Sequence, residues 1–224
     1  MSKSILITGC SSGIGLGVAI DLQKHGFKVF ATCRKQIDVD KINALGLMNL
    51  TSILLDVTNT ESIKSALDTV LKLTGGTLDV LYNNAGYGQI GAVEDLTKQA
   101  MLQQFDTNVF GLLDLTNHVL PIMRQQGSGK IIVTSSVLGF ISLRYRGAYV
   151  ASKFALEGLF DTLRLELKNT PIKVSIIQPG PIESNFRDNT KNYFLERINI
   201  DSSVHLATYQ RMEKYYSAKT KHND

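Results

Sequence analysis

Several short apolar runs in this chain are hydrophobic at consecutive positions rather than at alternate ones, as in Ile53-Leu54-Leu55 and Ile131-Ile132-Val133. A strand with one wet face alternates, whereas a strand apolar on both faces must be covered on both, as in a parallel sheet flanked by helices. The β-rich runs are Ser4 to Thr8, Lys28 to Thr32, Leu50 to Leu55, Leu78 to Asn83, Lys130 to Ser135 and Lys173 to Gln178. Between them lie stretches with helical spacing, from Ile14 to His25, Thr60 to Leu73, Lys98 to Gln126 and Ala148 to Lys168. Such βαβ alternation with right-handed crossovers predicts a doubly wound α/β sheet with helices on both faces. Ligands of such sheets bind beyond the carboxyl ends of the strands, so the chemistry should sit where strands end.

Composition narrows the class of partner. With 224 residues, 43% hydrophobic and 20% charged, the chain suits one globular domain, 1–224, and excludes disorder, collagen and coiled coil. Its 24 Lys+Arg against 20 Asp+Glu leave +4 with no block of like charge, which gives no electrostatic case for nucleic acid or an anionic membrane. A small-molecule ligand, with no metal, is the default expectation. Cys10 and Cys33 cannot build a disulfide framework, and free thiols suit a reducing compartment. No apolar run approaches the ~20 residues that span a bilayer, and Met-Ser-Lys-Ser-Ile-Leu enters a strand-like segment at once. A cytoplasmic protein with neither signal peptide nor membrane span is the resulting expectation.

The segment Ile5-Leu6-Ile7-Thr8-Gly9-Cys10-Ser11-Ser12-Gly13-Ile14-Gly15 runs from a strand through glycines into an amphipathic helix. A dinucleotide pyrophosphate needs backbone that approaches without Cβ atoms, together with the free N–H groups and positive dipole end of a helix start. Gly9, Gly13 and Gly15 fall where those demands fall, although Val18 occupies the place of a third glycine in the strict G-x-G-x-x-G register. Gly17 is assigned to close packing of helix on sheet. At the end of the second strand, an acidic side chain would bond the ribose hydroxyls, and a basic one accommodates a 2′-phosphate. Here the tip reads Cys33-Arg34-Lys35 with no carboxylate, which favours NADP(H) with Arg34 as the phosphate fork. Cys33 reads as a small residue at a strand end.

Ser135 and Ser136 end the fifth strand-like run, and Tyr149 and Lys153 follow four residues apart within Gly-Ala-Tyr-Val-Ala-Ser-Lys. Positions i and i+4 of a helix share a face, so phenol and amine can point together above the sheet. A phenol of pKa about 10 is a poor base near neutrality, and a neighbouring ammonium favours its ionised form. The tyrosine could then exchange a proton with a substrate oxygen while a cofactor carries hydride.

Taken together these residues resemble the short-chain dehydrogenases/reductases. The resemblance covers residues 4 to about 186, through Thr8-Gly9-Cys10-Ser11-Ser12-Gly13-Ile14-Gly15, Leu55-Asp56-Val57-Thr58, Asn83-Asn84-Ala85-Gly86, Asn108, Ser136, Tyr149 with Lys153, and Gln178-Pro179-Gly180-Pro181-Ile182. It implies a Rossmann-type sheet of six strands in the order 3-2-1-4-5-6. It further implies that Gly9, Ser11, Ser12, Gly13, Ile14 and Gly15 cradle the cofactor and that Asp56 and Val57 embrace its adenine. Asn84, Ala85 and Gly86 would line the adenosine side, and Pro179, Gly180, Ile182 and Ser184 would run along the nicotinamide. The catalytic set would be Asn108, Ser136, Tyr149 and Lys153. Ser136 polarises the substrate oxygen, Tyr149 moves the proton, and Lys153 grips the nicotinamide ribose while lowering the tyrosine pKa. Asn108 bends the long middle helix and holds a water.

The acid-free tip and the glycine run look like the NADP(H)-using branch that includes 17β-hydroxysteroid and retinol dehydrogenases, which implies a hydrophobic alcohol or carbonyl substrate. Expected pocket walls are Val137, Leu138, Phe140, Leu143, Tyr145, Phe186, Tyr193 and Phe194. Family likeness also implies a homodimer or homotetramer built on the helices Lys98 to Gln126 and Ala148 to Lys168. Relatives usually continue with another helix and a seventh strand. Here the composition shifts after Gly180, only a helix-like piece near Ser203 to Tyr216 is legible, and residues 181–224 read as a shortened substrate lid without a seventh strand. A second reading is a non-catalytic NADP(H)-binding sensor or scaffold, and a third an epimerase or dehydratase using the same cofactor.

Overall fold

The computed structural model describes residues 2–182, 184 and 186–220, with side chains to residue 214. Six strands, β1 (Ser4–Ile7), β2 (Lys28–Cys33), β3 (Leu50–Leu54), β4 (Val80–Asn83), β5 (Gly129–Thr134) and β6 (Ile172–Ile177), form one parallel sheet in the order β3-β2-β1-β4-β5-β6. Fold class and strand order are those expected from the sequence. Among the described residues no strand follows β6.

The consecutive apolar positions have a plain cause. Leu6 and Phe30 point into one layer, with Ile63, Val70, Leu112, Val119, Leu156 and Phe160. Their strand neighbours Ile5, Ile7, Val29 and Ala31 point into the other, with Ala19, Val39 and Ile42. The first layer is made by α3 (Thr60–Thr74), α5 (Gly111–Gln126) and α6 (Gly147–Glu166), and the second by α1 (Gly13–Lys24) and α2 (Gln36–Asn43). The central strands β1, β2 and β4 are buried along their length, whereas the outer strands are open in part, with Leu54 of β3 45% exposed, so the polar residues that the fold uses gather at the strand ends.

The stretch expected as one long middle helix is instead α4 (Lys98–Phe105), a five-residue π-turn over Asp106–Phe110, and α5. Gly111, at the junction, packs directly on the backbone of Val57, and an added Cβ there would lie 2.8 Å from the Val57 carbonyl carbon. A smaller third core holds the C-terminal helices α7 (Phe186–Arg197) and α8 (Leu206–Thr220) against the loop after β4, around Ile90, Phe194, Ile198 and Tyr209. No helix among the described residues is long and apolar enough to cross a membrane.

Candidate active site

The turn from β1 to α1 shows two separate uses of glycine. Gly9 and Gly13 have left-handed φ of +72° and +60°, which glycine adopts without penalty. A Cβ on Gly9 would stand 2.8 Å from Ala85 Cα, and one on Gly15 would stand 2.6 Å from Asn84 Nδ2. Gly9 and Gly15 are therefore required by contact with the end of β4, and Gly15 is buried. Gly17, assigned to close packing, has nothing within 4 Å of where its Cβ would be. That assignment is corrected: this face of α1 is open.

Thr8 clasps the two strand ends together. Its hydroxyl accepts from the backbone N–H of Asn84 and of Ala85, both at 2.9 Å, while Asn84 Nδ2 donates to Thr8 O at 2.9 Å. Ser12 occupies the N-cap of α1 in an extended conformation without a side-chain cap bond, so no hydroxyl takes up the first N–H groups of the helix. Gly9, Ser11, Ser12, Gly13 and Ile14 line a cavity of about 490 Å³. An uncapped helix start opening on a glycine-lined cavity has the donors that a pyrophosphate requires, so the residues present fit a dinucleotide.

Further along the same cavity lie Asn84, Gly86, Ser136, Tyr149, Lys153, Pro179, Gly180, Ile182 and Ser184. Ser136 follows β5 in extended backbone, and its Oγ accepts from Leu138 N at 3.1 Å. Tyr149 stands in the first turn of α6, which is pinned in place from outside. Tyr145 takes a left-handed φ of 62°, its carbonyl accepts from Gly91 N at 3.1 Å, and Arg146 bridges to Gly91. Asn108 sits in the π-turn, fully buried, with Oδ1 accepting from Tyr87 N at 3.0 Å and Nδ2 donating to Tyr87 O and to Ser152 Oγ. Ser152 in turn donates to Tyr149 O at 2.7 Å. The expected bend at Asn108 is present as a π-turn, and this chain of bonds ties it to the backbone of Tyr149.

Lys153 shares a face with Tyr149, its Nζ 5.6 Å from the ring centroid, and donates to Thr134 O at 2.7 Å. Burial pushes the Lys153 ammonium down to about 8, offset in part by Glu157. Burial also raises the Tyr149 phenol, while the Ser136 hydroxyl and the Arg146 guanidinium pull it back, leaving it above its ordinary value. The Arg146 guanidinium is one cation that acts on the phenol, and the Lys153 amine, close to the same ring, turns toward a carbonyl at the end of β5. Arg146 lines the cavity one turn before Tyr149, and its spacing from the tyrosine was the signal that could have drawn attention to it.

The remaining expected residues lie outside the cavity walls. Ala85 backs the glycine turn. Val57 is buried against Gly111, and Asp56 Oδ1 accepts from Thr58 N and Oγ1 at 3.0 and 2.8 Å. Arg34 projects from the tip of β2, held above its ordinary pKa first by the neighbouring Tyr193 hydroxyl. The Cys33 thiol is pushed up to about 11, chiefly by burial, an inert residue at a strand end. Of the expected substrate walls, Val137, Leu138, Leu143 and Phe186 line the cavity. Tyr145 and Phe194 instead join the third core, Tyr193 stacks on Tyr87, and Phe140 is exposed. Those four are corrected: the docking of α7 and α8 takes three of them away from the cavity.

The family model for the short chain dehydrogenases matches residues 3–193. The uncharacterized oxidoreductase YbbO of Escherichia coli is 49% identical over 84% of this chain and 69% of its own length. Two solved structures share the fold: an alcohol dehydrogenase from Thermococcus sibiricus complexed with 5-hydroxy-NADP (TM-score 0.76, 26% identity, 83% of this chain and 79% of that one) and a short chain dehydrogenase/reductase from Burkholderia phymatum in complex with NAD (TM-score 0.80, 25% identity, 95% and 78%). With the sheet order, the glycine turn and the serine, tyrosine and lysine around one cavity, these matches make the chain a member of the short-chain dehydrogenase/reductase family of oxidoreductases.

Proposed function

We propose that this oxidoreductase uses NADP(H) to interconvert a hydrophobic alcohol and its ketone or aldehyde, with Tyr149 as general acid and base. The observation that carries the reading is the single cavity of about 490 Å³ shared by the glycine turn at one end and by Ser136, Tyr149 and Lys153 beyond it. Bound nicotinamide would supply or accept the hydride. Around it, the uncapped start of α1 binds the pyrophosphate, and Lys153 holds the nicotinamide ribose. Ser136 orients the substrate oxygen by a hydrogen bond. Tyr149 delivers a proton to that oxygen in reduction and removes it in oxidation. The raised phenol favours the protonated form, which suits reduction of a carbonyl compound in neutral solution. Val137, Leu138, Leu143 and Phe186 give the substrate end apolar walls, and residues 181–224 act as the lid of one catalytic domain. The basic tip at Arg34, with no carboxylate in Cys33-Arg34-Lys35, favours the phosphorylated cofactor over NADH.

The test is to follow NADPH and NADH absorbance with a panel of apolar ketones, aldehydes and quinones. Consumption of NADPH in preference to NADH with at least one carbonyl compound is expected. A folded protein that binds NADPH yet turns over none of the panel would leave the sensor reading standing in its place.

A further inference from the structure

Two arginines and two tyrosines meet beside the tip of β2. Arg34 stands beside the Tyr193 hydroxyl, which acts on its guanidinium, and the Tyr193 ring lies 4.4 Å from that of Tyr87, centroid to centroid. Arg197, one turn further along α7, places its guanidinium 4.1 Å from the Tyr193 ring and 5.3 Å from the Tyr87 ring. Its Nη1 donates to the Tyr87 hydroxyl at 2.8 Å. Among the described residues neither arginine has a carboxylate within ion-pairing distance. Asp56, the acid that acts on Arg34 from further away, has its Oδ1 occupied by Thr58.

Two permanent cations, Arg34 beside the Tyr193 hydroxyl and Arg197 on the Tyr87 hydroxyl, flank one pair of phenols without a carboxylate between them, and an anion with several oxygens can accept from both. Guanidinium forks and a phenol O–H are all donors that phosphate oxygens accept. The cluster borders the strand tip where a cofactor ribose is expected, on the same side of the sheet as the glycine turn. We propose that Tyr193 and Arg197 of α7 join Arg34 as ligands of the ribose 2′-phosphate, so that the phosphorylated cofactor draws the lid helix onto its own groove. This rests on the NADP(H) reading above. The other end of α7 carries Phe186, whose ring packs edge-on against Tyr149 at 5.6 Å. One helix thus touches both the phosphate end and the reacting phenol, and a cofactor without the phosphate lacks that link to the substrate lobe.

The experiment is calorimetric titration of NADPH, NADH, adenosine 2′,5′-bisphosphate and adenosine 5′-monophosphate into wild type, Arg34→Ala, Tyr193→Phe, Arg197→Met and Arg197→Lys. It is paired with hydrogen exchange of α7. Tyr193→Phe keeps the ring and its stacking, and Arg197→Lys keeps the charge. Tyr193→Phe and Arg197→Met are each expected to weaken NADPH and the bisphosphate about tenfold, the scale of one lost charge-assisted bond, and to leave NADH and the monophosphate within about twofold. Arg197→Lys should fall between Arg197→Met and wild type, and α7 amides should exchange more slowly with NADPH than with NADH. Equal weakening of both cofactors would mark Tyr193 and Arg197 as structural braces only and overturn the proposal. So would tighter binding of both cofactors, which would mark α7 as an obstruction. Unchanged NADPH binding in the α7 variants, with loss in Arg34→Ala, would overturn it while leaving the cofactor reading intact. Equal loss of NADPH and NADH in Arg34→Ala would instead bring down the cofactor reading itself.

Discussion

Lys153 is 4% exposed, and its amine donates to the Thr134 carbonyl. Burial disfavours its charge, so its pKa falls from 10.5 to about 8 in the folded protein. An ammonium with a depressed folded pKa contributes stability only at high pH: that contribution is complete above about 10.5, declines as pH falls toward 8, and is gone below it. At pH 7 the buried charge therefore opposes folding. Lys153→Met should raise the thermal midpoint at pH 7, and this advantage should shrink as pH rises from 8 to 10.5. Calorimetric scans across that range test the expectation, and a midpoint lower at pH 7 than at pH 10 relative to wild type would reverse it. The residue types of the site were legible in the sequence, because Ser136, Tyr149 and Lys153 lie close along the chain at spacings set by strand end and helix turn. The Tyr193 contact of Arg34 was not, because the two residues are far apart in sequence and only the fold of α7 brings them together.

Strands and long helices were legible for the same reason. Burial on both faces of a strand, or on one stripe of a helix, leaves a periodic apolar mark in α3, α5 and the six strands. α2 and α7 left none. α7, Phe-Arg-Asp-Asn-Thr-Lys-Asn-Tyr-Phe-Leu-Glu-Arg, buries only Thr190 and Phe194, too few positions to make a stripe. Its stability comes from docking rather than from its own pattern. α8 supplies the anchor: the fully buried Tyr209 accepts from Ala92 N at 2.8 Å, donates to Asp95, and packs edge-on against Phe194 at 5.0 Å. Tyr209→Phe keeps the packing and leaves the Ala92 N–H and the Asp95 carboxylate short of a partner, so a loss of about 1–3 kcal/mol in unfolding free energy is expected. Chemical denaturation measures it, and a variant as stable as wild type would show that the C-terminal helices are held by apolar contact alone. The interruption of the middle helix was also partly readable. Family likeness pointed to Asn108, but the form of the bend, a π-turn that frees the Asn108 amide for Tyr87 and Ser152, required coordinates.

Across the whole molecule, large apolar side chains remain exposed on one set of helices. Leu102 on α4, Phe110 in the π-turn, and Phe154 and Leu159 on α6 are all between 39% and 51% exposed, and a groove between α5 and α6 is lined by Leu113, Leu159, Phe160 and Leu163. Apolar surface of this kind marks a contact between proteins, and we propose that a second copy of the chain covers it. Light scattering should give a multiple of 24.7 kDa for the wild type and the monomer mass for Phe154→Glu. A monomeric wild type would refute the proposal. In the proposed reaction the Tyr149 phenol is the group that moves the proton. The most direct measurement is kcat for NADPH-dependent carbonyl reduction by Tyr149→Phe, a change that removes one oxygen and leaves the ring against Phe186 in place. Turnover is expected to fall by about 10²–10⁴-fold, with NADPH binding retained. Turnover equal to wild type would contradict the account.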